Sequence, residues 1–95
     1  MVAEFSPVFS ALGQSTRWRA FQLLVATGDD GLLQHEIAAA LDVPKNLLSV
    51  HLKVLQKAGL VSAERKGREV TYRMRPELAR SAAEAMLAML GKSSA

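Results

Sequence analysis

The sequence contains no cysteine. Disulfides, thiolate metal sites, cysteine nucleophiles and thiol redox switches therefore lie outside its chemistry. Its two histidines, His35 and His51, lack the H-x₃₋₅-H spacing of a zinc site. It has no Gly-rich phosphate loop and no plausible Ser-His-acid set, which argues against an enzyme. No apolar run approaches the ~20 residues of a membrane span. The amino-terminal "MVAEFSPVFSALG" carries an acid and no basic cluster, unlike a signal peptide. The expectation is a cytoplasmic protein with no membrane contact and no cofactor.

Repeats, low-complexity tracts and linkers are also missing, so 95 residues read as one domain. A domain of this size buries somewhat over ~60% of its unfolded surface. A hydrophobic content of 49% argues against disorder. Net charge is only +3, but it is unevenly spread. Residues 43–75 hold eight bases against two acids, while the rest of the chain is net acidic. Such a basic segment suggests a surface that faces a polyanion.

Periodicity supplies the elements. Phe5, Val8, Phe9 and Leu12 fall at i, i+3, i+4 and i+7, a helical stripe that Gly13 ends. Ser15 is a candidate cap for a second helix reaching about Ala26, with Trp18, Phe21, Leu24 and Val25 on one side. After a "TGDDG" loop, Leu33, Ile37, Ala40 and Leu41 mark a short third helix. "DVP" breaks it before a fourth begins near Pro44, because proline suits a first helical turn. There Leu48, Leu52 and Leu55 face the core, and Gly59 suits the left-handed position that closes a helix. Lys45, Ser49 and Lys53 lie roughly opposite, flanked by Asn46, Val50 and Lys57. "LVSAERKGREVTYRM" alternates as two strands around a basic tip at Lys66-Gly67-Arg68. Pro76 opens a last helix carrying a stripe of Leu78, Ala82, Ala85/Met86 and Met89/Leu90.

The expected fold is mainly α (α+β): a winged helix-turn-helix of five helices with a two-stranded β-hairpin wing. In that arrangement the fourth helix can enter a major groove while the hairpin lies against the DNA backbone or an adjacent minor groove.

"ALGQSTRWRAFQLL" followed by "HEIAAALDVPKNLLSVHLKVLQKAGLVSAERKGREVTYRM" resembles the ArsR family of bacterial winged-helix repressors, from about Ala11 to Met74. The resemblance implies a homodimer that binds an operator in double-stranded DNA and leaves it when an effector binds. It implies base and phosphate contacts at Lys45, Asn46, Ser49, Val50 and His51, and a wing over Arg65 to Glu69. The pattern also departs from the family. The cysteine motif of the arsenic- and cadmium-type sites reads "LQHEI", with Leu33 and His35 at its thiolate positions. The last helix offers Glu77 and Glu84 but no histidine for a zinc-type site. Asp42 replaces the usual turn glycine, Pro44 the usual serine cap, and Val50 a polar reader.

The expected DNA-facing set is therefore Lys45, Asn46, Ser49, Val50, His51, Lys53, Arg65, Lys66 and Arg68, with no metal site. Asparagine can pair with adenine, and valine can touch a thymine methyl. His51 lies beside the leucine stripe, so packing and phosphate donation both suit it. The stripes Phe5/Val8/Phe9/Leu12 and Leu78/Ala82/Met86/Met89 exceed what a small core covers, and are expected to pair across a two-fold axis. The terminal helices for this pairing are placed at residues 3–13 and 76–90, with 91–95 as a flexible tail. A near-palindromic operator follows, while the effector has no signature. A winged helix serving only as a protein-interaction module is the second reading.

Overall fold

The computed structural model describes residues 4–93. Its elements are α1 (Ser6–Leu12), α2 (Ser15–Thr27), a 3₁₀ turn (Gly28–Asp30), β1 (Leu32–Leu33), α3 (Gln34–Leu41), α4 (Lys45–Lys57), β2 (Val61–Lys66), β3 (Glu69–Met74) and α5 (Pro76–Ser93). This is a winged helix-turn-helix with five helices.

The sheet has one more strand than the hairpin alone. β1 pairs antiparallel with β3, Leu32 opposite Tyr72 and Leu33 opposite Thr71, so the strand order is β1-β3-β2. Leu33 thus belongs to the strand rather than to the third helix. Gly31 makes this edge possible. Its φ is +71°, and a Cβ there would stand 2.5 Å from the Tyr72 carbonyl oxygen. Only glycine fits both the conformation and the gap.

The core collects Leu24 of α2, Ile37 of α3, Leu48, Leu52 and Leu55 of α4, and Leu60, Val61 and Tyr72 of the sheet region. The three α4 leucines are wholly buried, as their spacing requires. After α4 the Leu60 N–H donates to the Leu55 carbonyl and the Gly59 N–H to that of Gln56, with Gly59 at φ +81°. These paired bonds satisfy the carbonyls at the helix end and turn the chain into β2. The same closure follows α3, where the Val43 N–H reaches the Ala38 carbonyl around Asp42 at φ 55°. Asp42 is the one non-glycine residue with positive φ among the described residues.

Other expectations shift. Gln14, not Ser15, caps α2, its side chain accepting from the Arg17 N–H. α2 buries Ala20 and Leu24, whereas Trp18 is 48% exposed and Val25 is also exposed, so its apolar residues do not share one buried side. Val8 and Ala82 are each 1% exposed within the single chain, which corrects their assignment to a partner-facing surface. Both are spent on holding α1 and α5 to the domain. α5 continues through Ser93, so residues 91–93 are helical rather than a frayed tail. Residue 3 of the first expected helix and residues 94–95 of that tail lie outside the described residues.

Candidate nucleic-acid interface

α3, the turn at Asp42–Pro44 and α4 form the helix-turn-helix. Pro44 sets the entry to α4 by backbone alone: its carbonyl accepts the first helical bond, from the Leu48 N–H at 3.0 Å. With Leu48, Leu52 and Leu55 turned inward, Lys45, Asn46, Val50, Lys53 and Lys57 are exposed. Ser49 is half-buried and sits on the flank, so Asn46 and Val50 hold the more prominent position. Leu47 is exposed as well. In the sequence it is masked as one more leucine of a leucine-rich helix, although its i, i+3 relation to Val50 separates it from the core stripe.

The wing is the β2–β3 hairpin. Lys66 pairs with Glu69, leaving Gly67 and Arg68 as a two-residue turn with Gly67 at φ +61°. Arg65, Lys66 and Arg68 are exposed at its tip, and an Arg65 N–H points back to the Gly67 carbonyl at 3.4 Å. Lys45 and Arg68 meet across a small cleft of about 140 Å³, whose rim also includes Gln34, His35 and Glu69. The start of α4 and the tip region of the wing thus present cations to one place.

Two arginines of the basic segment have other duties. Arg73 bonds Glu64 at 2.8 Å and the Asp29 carbonyl at 3.1 Å, and Arg75 lies 3.8 Å from Glu77. The Arg73 guanidinium, and then the nearby Lys66, hold the Glu64 carboxyl below its ordinary range. Among the described residues, no ion pair engages Lys45, Lys53, Lys57, Arg65, Lys66 or Arg68. Those six define a cationic face with no carboxylate at ion-pair distance, Lys66 alone among them feeling the nearby Glu64 charge.

"STRWR" carries two structural devices that residue spacing alone does not reveal. The Arg17 Nε–H donates to the Ala11 carbonyl at 2.6 Å, and its Nη1–H to His51 Nδ1 at 3.2 Å. Arg17 therefore clasps α1 and α4 to α2. Arginine cannot accept, so His51 Nδ1 must, which places the imidazole proton on Nε2. Burial, and secondarily the Arg17 charge, push His51 below its ordinary pKa of 6.5, so it is neutral at pH 7. Both readings of His51 thus share one residue: Nδ1 packs against Arg17 while Nε2–H remains a donor. Arg19 reaches the Leu41 carbonyl at 3.1 Å and places a cation at the carboxyl end of α3.

A second surface lies away from this face. α1, α2 and α5 border an apolar groove of about 680 Å³, floored by Val8 and Ala82 and walled by Phe9, Trp18, Met86, Leu87 and Leu90. Phe9, Leu78, Met86 and Met89 are exposed, and Phe5 and Leu12 are half-buried. Leu90 of the same stripe is exposed too, and Leu87, outside the stripe, adds further apolar surface.

A family model described as MarR family matches residues 15–69, from α2 to the wing. The geometry and this match define a winged helix-turn-helix of the transcriptional-regulator type. The repressor SmtB of Mycobacterium tuberculosis is 58% identical over 40 residues, 42% of this chain and 30% of SmtB. The arsenic resistance regulator ArsR1 of Pseudomonas putida is 37% identical over 71 residues, 75% of this chain and 54% of ArsR1. The matched stretches thus span about a third to a half of these curated relatives. An ArsR-like transcriptional regulator from Rhodococcus sp. RHA1 superposes with a TM-score of 0.79 at 28% identity, covering 95% of this chain and 82% of that one. A homodimeric winged-helix domain from Mycobacterium bovis, a possible ArsR-family regulator, gives 0.70 at 29% identity, over 88% and 76% of the two chains. The chain belongs to the ArsR family of winged helix-turn-helix transcriptional regulators.

The metal-sensing chemistry known in that family does not fit these residues. Leu33 offers no donor atom, and His35 shares its cleft with Lys45 and Arg68, whose charges oppose a cation. No group of three or more His, Cys, Asp and Glu side chains that could hold a metal occurs among the described residues.

Proposed function

We propose that the protein is a dimeric, sequence-specific DNA-binding regulator that represses by occupying a near-palindromic operator and is displaced by a non-metal effector. The observation that carries this reading is the set of Lys45, Lys53, Lys57, Arg65, Lys66 and Arg68 on α4 and the wing, none of them held in an ion pair. α4 enters the major groove, Asn46, Ser49 and Val50 meet base edges, and Arg65, Lys66 and Arg68 follow phosphates. The Nε2–H of His51 donates to the backbone at the groove edge. With one phosphate for each of the six unpaired cations per chain, a dimer gives a log–log salt slope of about −11.

The groove along α1 and α5 supports the dimer. Phe9, Met86, Leu87 and Leu90 are exposed together along one groove, an apolar surface that the single chain leaves uncovered. The homodimeric Mycobacterium bovis neighbour lends the same support. Two copies about this axis set their α4 helices roughly 34 Å apart, one turn of DNA.

Selection of bound duplexes from a random pool tests the proposal. The expected outcome is an enriched two-fold motif with half-sites one helical turn apart. A pool that stays random, with weak and salt-insensitive binding, would reject it in favour of a protein-interaction module.

A further inference from the structure

Leu47 and Val50 are 54% and 60% exposed on α4. Neither serves the core, which Leu48, Leu52 and Leu55 already fill. Three residues apart on a helix, their Cβ atoms lie about 5–6 Å from one another and make one small apolar patch. The exposed Lys45 and Lys53 belong to the same helix, and Arg68 joins Lys45 at the neighbouring cleft. Whatever covers this patch must be apolar at its centre and anionic at its margins. A partner helix supplies the first property more readily than the second. The major groove supplies both: phosphates along its edges and, on its floor, the C5 methyl of pyrimidines as the projecting apolar group.

We propose that Leu47 and Val50 read pyrimidine C5 methyl groups in the major groove, and that this contact sets a large part of the protein's base preference. The inference rests on the DNA-binding reading above and adds a specific recognition chemistry to it. Stacked bases repeat every ~3.4 Å, so the two side chains reach methyls on adjacent or next-but-one base pairs. Thymine and 5-methylcytosine carry the same group.

The test uses the wild-type protein and the duplex enriched from a random pool. Each thymine is replaced in turn by uracil, which removes only the methyl, and each cytosine by 5-methylcytosine. Burial of one methyl corresponds to about a fourfold change in affinity, and symmetric replacement in both half-sites to about fifteenfold. Uracil is expected to weaken binding at one or two neighbouring positions per half-site if the natural base is thymine. A gain on cytosine methylation at those positions would instead identify 5-methylcytosine. Leu47→Ala and Val50→Ala should each abolish one such methyl effect while retaining the circular dichroism spectrum and the salt slope.

Specific, salt-dependent binding that is indifferent to every methyl would overturn the inference and leave the DNA-binding reading standing. A switch from dimer to monomer in Leu47→Ala or Val50→Ala would assign the patch to a contact between copies, and would also overturn it. Absence of any enriched duplex would remove both readings together. The uracil arm needs no variant, so it decides even if a substitution impairs folding.

Discussion

Replacing Arg17 by Met removes the clasp between α1, α2 and α4 while keeping most of the aliphatic stem. Two hydrogen bonds disappear, one to the Ala11 carbonyl at 2.6 Å and one to His51 Nδ1 at 3.2 Å. A bond to a charged group contributes about 1.5–3 kcal/mol, and the half-exposed setting of Arg17 lowers the pair to about 2 kcal/mol in all. For a domain of this length the melting temperature should then fall by about 8–16 °C. Melting must be compared at one protein concentration, because association contributes to apparent stability. A second reading comes from pH. His51 is held below 6.5 in the folded protein, so the unfolded chain takes up its proton first as the solution is acidified. Its contribution to stability is complete above about pH 6.5 and is lost as pH falls towards the folded-state value. Burial, the larger cause, persists in Arg17→Met, while the smaller charge effect vanishes. The variant should therefore lose less stability between pH 7.5 and pH 5.5 than the wild type does. A melting temperature within 2 °C of wild type, with an unchanged acid dependence, would refute the clasp.

Gly31→Ala should cost about 3 kcal/mol or more in denaturant unfolding, since the new methyl collides with the Tyr72 carbonyl and the φ of +71° opposes any side chain. Asp42→Gly should stabilise by a few tenths to about 1 kcal/mol, relief of the left-handed strain outweighing the added freedom of the unfolded chain. Calorimetry showing a loss of stability would assign Asp42 a role beyond the turn. Lys66→Ala and Arg68→Ala should each lower affinity for all duplexes alike and reduce the salt slope by about 0.9 per chain, measured by fluorescence anisotropy. Unchanged slopes in both would remove the wing from the DNA contact. Met86→Glu sets a charge in the apolar groove and should give a monomer by light scattering with little loss of helix. A dimer that survives it would move the interface elsewhere.

The parts legible in the sequence are those where several local signals agree. Pro44, the Leu48/Leu52/Leu55 stripe and Gly59 all point to the same helix, and Gly67 between alternating residues marks the wing. β1 escaped because its two residues, Leu32 and Leu33, are too short for any alternation to show and read as the start of a helical stripe. The faces of α2 and of the terminal helices were misjudged for one reason: periodicity finds an apolar stripe but not what covers it. Trp18 and Val25 belong to α2's apolar set yet face outward, while Val8 and Ala82 look like interface residues yet close the chain's own core. On α4 the same limit hid Leu47, whose exposure depends on Leu48 taking the inward position. Arg17 and Arg19 act across long sequence separations, 34 residues to His51 and 22 to Leu41, so no local pattern announces them.

On the proposed reading, α4 and the wing of a dimer grip DNA through cations that no carboxylate of the chain pairs. The salt dependence of affinity for the selected duplex measures that grip. Log affinity is expected to fall linearly with log salt, with a slope of about −11 at two chains per duplex. A slope near zero, or saturation at one chain per duplex, would contradict it.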